Sequence, residues 1–160
     1  MAQPPDEYTA EASIDIAAPP ERVYDLIADV ARVGEFSPEA TGARGASPAP
    51  VVGETFWGFN RRGPWRWFTR CTVLSADRGQ RFSFDVDFPP MPVSRWTYQI
   101  EPTEAGCRVT ETWNDRREGP IAAPIKWVGG VIIPGPRAPH NQRNIETTLQ
   151  RLKAAAEKQR

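Results

Sequence analysis

Near the end of the chain Ile145, Leu149, Leu152 and Ala156 recur at three- and four-residue spacing, with Glu146, Gln150, Lys153 and Glu157 opposite them. The pattern predicts an amphipathic helix over residues 141–159, which contain neither Gly nor Pro, and residues 149–158 are good helix formers. A long helix with one apolar stripe needs a surface to bury it against. The middle of the chain offers one. From Gly53 onward, apolar and polar residues alternate in five stretches, 54–61, 65–76, 81–88, 93–101 and 107–115. Turn signals separate them: Arg62-Gly63-Pro64, Asp77-Arg78-Gly79, Pro89-Pro90-Met91-Pro92 and the stretch 103–106. Closely spaced strands with tight turns predict an antiparallel meander whose face curls around the helix.

The first part of the chain adds smaller elements. Residues 7–17 alternate weakly and predict a strand. Ala18-Pro19-Pro20-Glu21 then opens a short helix, because Pro is tolerated in a first turn and Glu suits the helix dipole there. Val23, Leu26, Ile27 and Val30 form its apolar face. A second short helix over residues 30–36 ends at Ser37-Pro38, since the residue before Pro is pushed out of the helical region. Residues 41–50, rich in Gly, Ala and Pro, read as a loop or a poor edge strand. Residues 119–137 are apolar but repeatedly broken by Gly and Pro, which predicts a flap over the open end of the sheet rather than a regular helix.

Composition narrows the function classes. With 160 residues the chain fits one domain, preceded by a flexible tail over residues 1–7. Lys+Arg and Asp+Glu both number 20, so no basic field invites nucleic acid. No apolar run is long enough for stable membrane insertion, and the polar N-terminus shows no signal peptide; the expectation is a cytoplasmic protein, monomer or homodimer. Cys71 and Cys107 have no metal-ligand spacing and are expected as free, buried thiols on separated strands. Six Trp and seven Phe are spread mostly through the middle of the chain. Such side chains fill cores and also line cavities for apolar ligands.

The order strand, two short helices, long meander, long C-terminal helix resembles the helix-grip fold of the START-like superfamily, also called SRPBCC, in its polyketide cyclase/dehydrase-like branch. The resemblance runs through "IDIAAPPERVYDLIADVARVGEFSPE", "GETFWGFNRRG", "WFTRCTVLSADRGQRFSF", "SRWTYQIEPTEAGCRVTETW" and "HNQRNIETTLQRLKAAAE". It implies an α+β fold: a curved antiparallel sheet of about six or seven strands wrapped around the C-terminal helix, with a deep cavity between them. The helix stripe, with Ile145 and Leu149, would form one wall. Inward strand positions would form the rest: Phe56 and Asn60, Trp67 and Thr69, Phe82 and Phe84, Trp96 and Tyr98, Glu111 and Trp113. Trp127 would join them from the flap.

Within that frame Glu111 is the sharpest candidate. Its period-two neighbours Val109 and Trp113 are apolar, so its carboxyl points inward with them. A buried carboxyl is either a general acid/base or ligand contact, with Tyr98 as its companion, or half of a structural pair. Asn60, Thr69 and Tyr98 could orient a ligand carbonyl or hydroxyl, or satisfy a backbone group. His140 falls away from the stripe and is expected to be exposed. No metal site and no cofactor are expected. The leading expectation is binding or transport of a hydrophobic small molecule of lipid, polyketide or isoprenoid type. The alternatives are a metal-free cyclase/dehydratase-type lyase using Glu111 and Tyr98, and a protein-interaction module using residues 121–133. Binding ranks above catalysis because no recognisable catalytic motif is present.

Overall fold

The structure, a computed structural model, describes residues 9–88, 91–116 and 137–158. The expected tail (1–7), most of the flap with its Trp127, and Pro89-Pro90 lie outside the described residues. Seven strands form one antiparallel sheet: β1 (Thr9–Ile16), β2 (Ala40–Arg44), β3 (Thr55–Arg62), β4 (Trp65–Asp77), β5 (Arg81–Phe88), β6 (Met91–Thr103) and β7 (Gly106–Asp115). Their order is β1-β7-β6-β5-β4-β3-β2, so β2 to β7 make an unbroken meander and β1 closes on β7. The expected α+β helix-grip fold is what the chain adopts. Between β1 and β2 lie helix α1 (Pro20–Ala28) and a 3-10 turn (Val30–Glu35), and helix α2 (Arg137–Lys158) ends the fold.

The sheet curls for local reasons. Register shifts interrupt the β2–β3, β4–β5 and β5–β6 ladders at Ala40/Gly42, Val73/Ser75 and Val86/Asp87. Each irregularity adds local twist and bends the strand that carries it. The stretch read as a loop or poor edge strand holds all of β2 but Ala40, and its ladder partner is β3 alone.

Helix α2 buries Ile145, Leu149, Leu152 and Ala156 into a core shared with Ile16, Val23 and Val109. Its flank also serves the sheet edge. The Gln142 amide donates to the Glu11 carbonyl at 2.8 Å and accepts from the Glu11 N–H at 3.0 Å. Lys153 Nζ donates to the Asp15 carbonyl, and Glu157 Oε1 accepts from the Ala17 N–H, both at 2.9 Å. These contacts occupy backbone groups that an edge strand would otherwise leave open to another chain. Helix α1, with Pro20 in its first turn, seals one end of the grip: the Tyr24 ring meets Phe82 edge-on at 6.0 Å. Gly106 marks the tightest approach, because a Cβ there would lie 2.2 Å from the Ile16 carbonyl oxygen. Cys71 and Cys107 are free and buried, on β4 and β7 with β5 and β6 between them. Burial pushes the Cys71 thiol up to about 12.

Candidate functional site

At the end of the grip away from α1's contact with Phe82, sheet and helix do not meet, and a cavity of about 170 Å³ remains. Strand geometry decides what reaches it. From β3 and β4 the inward residues are Phe56, Asn60, Trp67 and Thr69. From β5, β6 and β7 they are Phe84, Trp96, Tyr98, Glu111 and Trp113. Asn60 sits opposite Trp67, and Phe84, Trp96 and Trp113 form a run of cross-strand neighbours over β5, β6 and β7. Gly58 keeps the β3 side open: a Cβ there would come within 3.2 Å of Thr69 Oγ1.

Three residues expected on the wall lie elsewhere. Phe82 is fully buried beneath Tyr24 and Phe84, in the packed end of the sheet. Ile145 and Leu149 are buried in the core and do not line the cavity. They share the predicted faces, but α1 and the inner sheet residues fill the space in front of them. The wall that α2 does present is polar: Asn141, Asn144 and Thr148. Asn141 and Thr148 occupy the stripe of Ile145 and Leu149, one turn before Ile145 and one residue before Leu149. Extending the stripe backward by four from Ile145 would have found Asn141. Ser94, Ala43 and Val33 also line the cavity without having been singled out.

The expectation of an exposed His140 is corrected. Its Nε2 lies 2.6 Å from Glu39 Oε2, and both side chains are mostly buried. Asn144 Nδ2 donates to the same carboxyl oxygen at 3.2 Å. The segment between the 3-10 turn and β2 rises to cover the first turn of α2 on a flank the stripe does not mark. Glu39 and Asn144 are on the cavity wall, so this cluster borders it. Arg116 is half-buried and pairs with Asp85 and Asp87 at 3.3 and 3.2 Å on the other face of the sheet.

Glu111 sits directly opposite Tyr98 in the β6–β7 ladder, and the Tyr98 hydroxyl donates to Glu111 Oε1 at 2.7 Å. Glu111 is 2% exposed, and its Oε2 has no hydrogen-bond partner among the described residues. Asn141, 1% exposed, likewise has an unpartnered Nδ2. Burial away from water disfavours the charged carboxylate and pushes Glu111 up to about 8, the Tyr98 hydrogen bond opposing this. The same burial, with the Glu111 carboxyl next, holds the Tyr98 phenol well above its ordinary value. At neutral pH the pair is therefore uncharged, a phenol donating to a carboxylic acid. No Arg, Lys or His is among the described lining residues. The site is an apolar chamber with a few fixed polar points, one of which can hold or give up a proton near neutrality.

Comparisons with known proteins agree with the geometry. The model of the family described as polyketide cyclase / dehydrase and lipid transport matches residues 8–157. A polyketide-cyclase-like protein from Corynebacterium glutamicum, solved by NMR, is 30% identical, with a TM-score of 0.57 over 92% of this chain and 88% of that one. A crystal structure from Nitrosomonas europaea gives a TM-score of 0.67 at 14% identity, covering 95% of this chain and 96% of that one. A protein of the dynemicin biosynthetic locus gives 0.64 at 14% identity, covering 95% of this chain and 48% of that one. At these lower identities the likeness is one of fold. No curated protein matches the chain.

Proposed function

The chain belongs to the polyketide cyclase / dehydrase and lipid transport family, and from that premise we propose that it binds or carries a hydrophobic small molecule inside the grip. One observation carries the proposal. Among the described residues, the two that line a chamber of about 170 Å³ with orphaned polar atoms, Glu111 and Asn141, are almost fully buried in an otherwise mainly apolar wall. Leaving a buried polar group unpaired costs roughly 1–3 kcal/mol. A fold has no reason to keep two such groups facing one chamber unless an occupant pairs with them. A lipid, polyketide or isoprenoid supplies the apolar surface that Phe56, Trp67, Trp96 and Trp113 would cover.

The Tyr98–Glu111 pair favours a second reading, a metal-free lyase in which Glu111 gives or takes a proton on the same ligand. A carboxyl at about 8 is matched to proton transfer near neutral pH. No helix among the described residues is long and apolar enough to cross a membrane. The interaction-module alternative rests on residues 121–133, outside the described residues.

Native mass spectrometry of the purified protein and of Thr69→Trp tests the first reading. The wild type should retain an apolar small molecule, or take one up from a lipid extract. Thr69→Trp, with an indole in the chamber, should not. Equal retention by both proteins, or none by either after exposure to extract, would contradict it. The lyase reading requires, in addition, that the retained molecule be converted, and that Glu111→Gln slow conversion by roughly 10²–10⁴ without loss of binding.

A further inference from the structure

We infer that Glu111 and Asn141 form a two-donor subsite that holds the ligand by an uncharged acceptor oxygen, such as a ketone or ester carbonyl, in preference to a hydrocarbon of the same shape or a carboxylate. The inference rests on the binding reading above and deepens it.

Glu111 Oε1 already accepts from Tyr98, so the acid proton belongs on Oε2, the oxygen without a partner. That atom is then a donor. The other orphan, Asn141 Nδ2, is an amide nitrogen and can only donate. Both line the same cavity from opposite layers, Glu111 from β7 and Asn141 from α2. The neighbouring polar groups are mostly engaged: Thr148 Oγ1 donates to the Asn144 carbonyl at 2.7 Å, Asn144 donates to Glu39, and Glu39 also meets His140. Both unpartnered buried atoms on the wall are donors, so an acceptor on the ligand is what pairs them. A hydrocarbon would leave both donors unpaired. A carboxylate would supply an acceptor, but it would bring a charge to a described wall with no Arg, Lys or His to meet it. A neutral carbonyl oxygen has two lone pairs and no charge, which is the complement of two neutral donors.

The donor at Glu111 exists only while the carboxyl keeps its proton, so the preference should fade as pH rises through about 8. Glu111 faces Tyr98 on β6, whose phenol stays neutral there, and Ala12 on β1. The other titratable groups on the wall are Cys71 of β4, neutral through this range, and Glu39, bonded to His140 of α2.

The test compares 2-acetylnaphthalene with 2-ethylnaphthalene, the same ring with and without the carbonyl, by calorimetry or NMR titration of the full chain at pH 6 to 10. The ketone should bind about tenfold tighter or more at pH 6–7, the effect of one to two added hydrogen bonds. That preference should collapse between pH 7 and 9 in the wild type. In Glu111→Gln an amide N–H replaces the acid O–H, so the preference should persist at every pH and the step should vanish. Asn141→Leu should lower the ketone's preference over the hydrocarbon. Equal affinities at pH 6–7 would overturn the inference and leave the binding reading standing. A pH step of the same size in Glu111→Gln would overturn Glu111's part in it. Failure of both naphthalenes to bind would overturn the binding reading itself.

Discussion

One sheet face and one helix serve two ends of this molecule differently. At the packed end Tyr24 and Phe82 meet ring to edge, and Leu152 and Ala156 of α2 sit at 1% and 0% exposure among Ile16, Val23 and Val109. At the hollow end the same helix presents Asn141, Asn144 and Thr148 across a gap to Trp67, Trp96 and Glu111. The strands continue through both ends, so the difference does not come from the sheet. It comes from what α1 covers and from a change of side-chain chemistry along one helical stripe. Packing and hollow are separated along α2: apolar residues fill the core at one end, and polar residues line the cavity at the other.

The largest effect expected from breaking this contrast lies at the packed end. Leu149→Ala removes a fully buried side chain from the core between helix and sheet, and should cost about 2–5 kcal/mol. Urea unfolding measures this. An unchanged midpoint would mean that the stripe is not where stability resides.

The next effect belongs to Glu111 and depends on pH. Its folded-state value of about 8 lies above that of an unfolded glutamate, so the folded protein holds more protons than the unfolded one between roughly pH 4.5 and 8. Stability is then full below the unfolded value and falls as pH rises through the folded one. Glu111→Gln removes the loss. Relative to the wild type it should be near neutral at pH 4 and more stable by a few kcal/mol at pH 8, read from urea melts at the two pH values. A parallel pair of curves would show that the carboxyl is not desolvated in the folded state.

Asn141→Leu should have a smaller effect of the opposite kind to Leu149→Ala. Replacing an unsatisfied buried amide with a side chain of similar volume should raise stability by about 1 kcal/mol. The same substitution at the packed end would have nothing to gain. A fall in melting temperature for Asn141→Leu would mean that the amide is structurally engaged.

The sequence showed the elements well and the division between the two ends poorly. The apolar spacing of Ile145, Leu149, Leu152 and Ala156 and the alternation along β3 to β7 are local signals, and they gave the helix, the meander and the inward faces. Strand period two identifies a face, not a position along the sheet. It put Phe82 and Phe84 together, although only Phe84 reaches the cavity, because α1 lies over the other. β2 was faint because Ala, Gly and Arg carry no hydrophobic pattern, and the strand owes its existence to β3. His140 is drawn inward by Glu39, a hundred residues away in the chain, which no local pattern records. Asn141 was legible in principle, as a polar residue on an apolar stripe. Glu111 was legible for the same reason, a polar residue flanked by apolar neighbours of its own face.

Filling the hollow end tests the division most directly, through the urea midpoint of Thr69→Trp. Thr69 is a buried cavity-wall residue of β4, facing the space that Gly58 leaves open. An indole added to a packed core costs about 1–3 kcal/mol, whereas one added to a void gains contacts without displacing its neighbours. The midpoint should equal or exceed that of the wild type, with binding of 2-acetylnaphthalene lost in the same sample. A lowered midpoint with that binding intact would contradict it, because the hollow end would then be as tightly packed as the other.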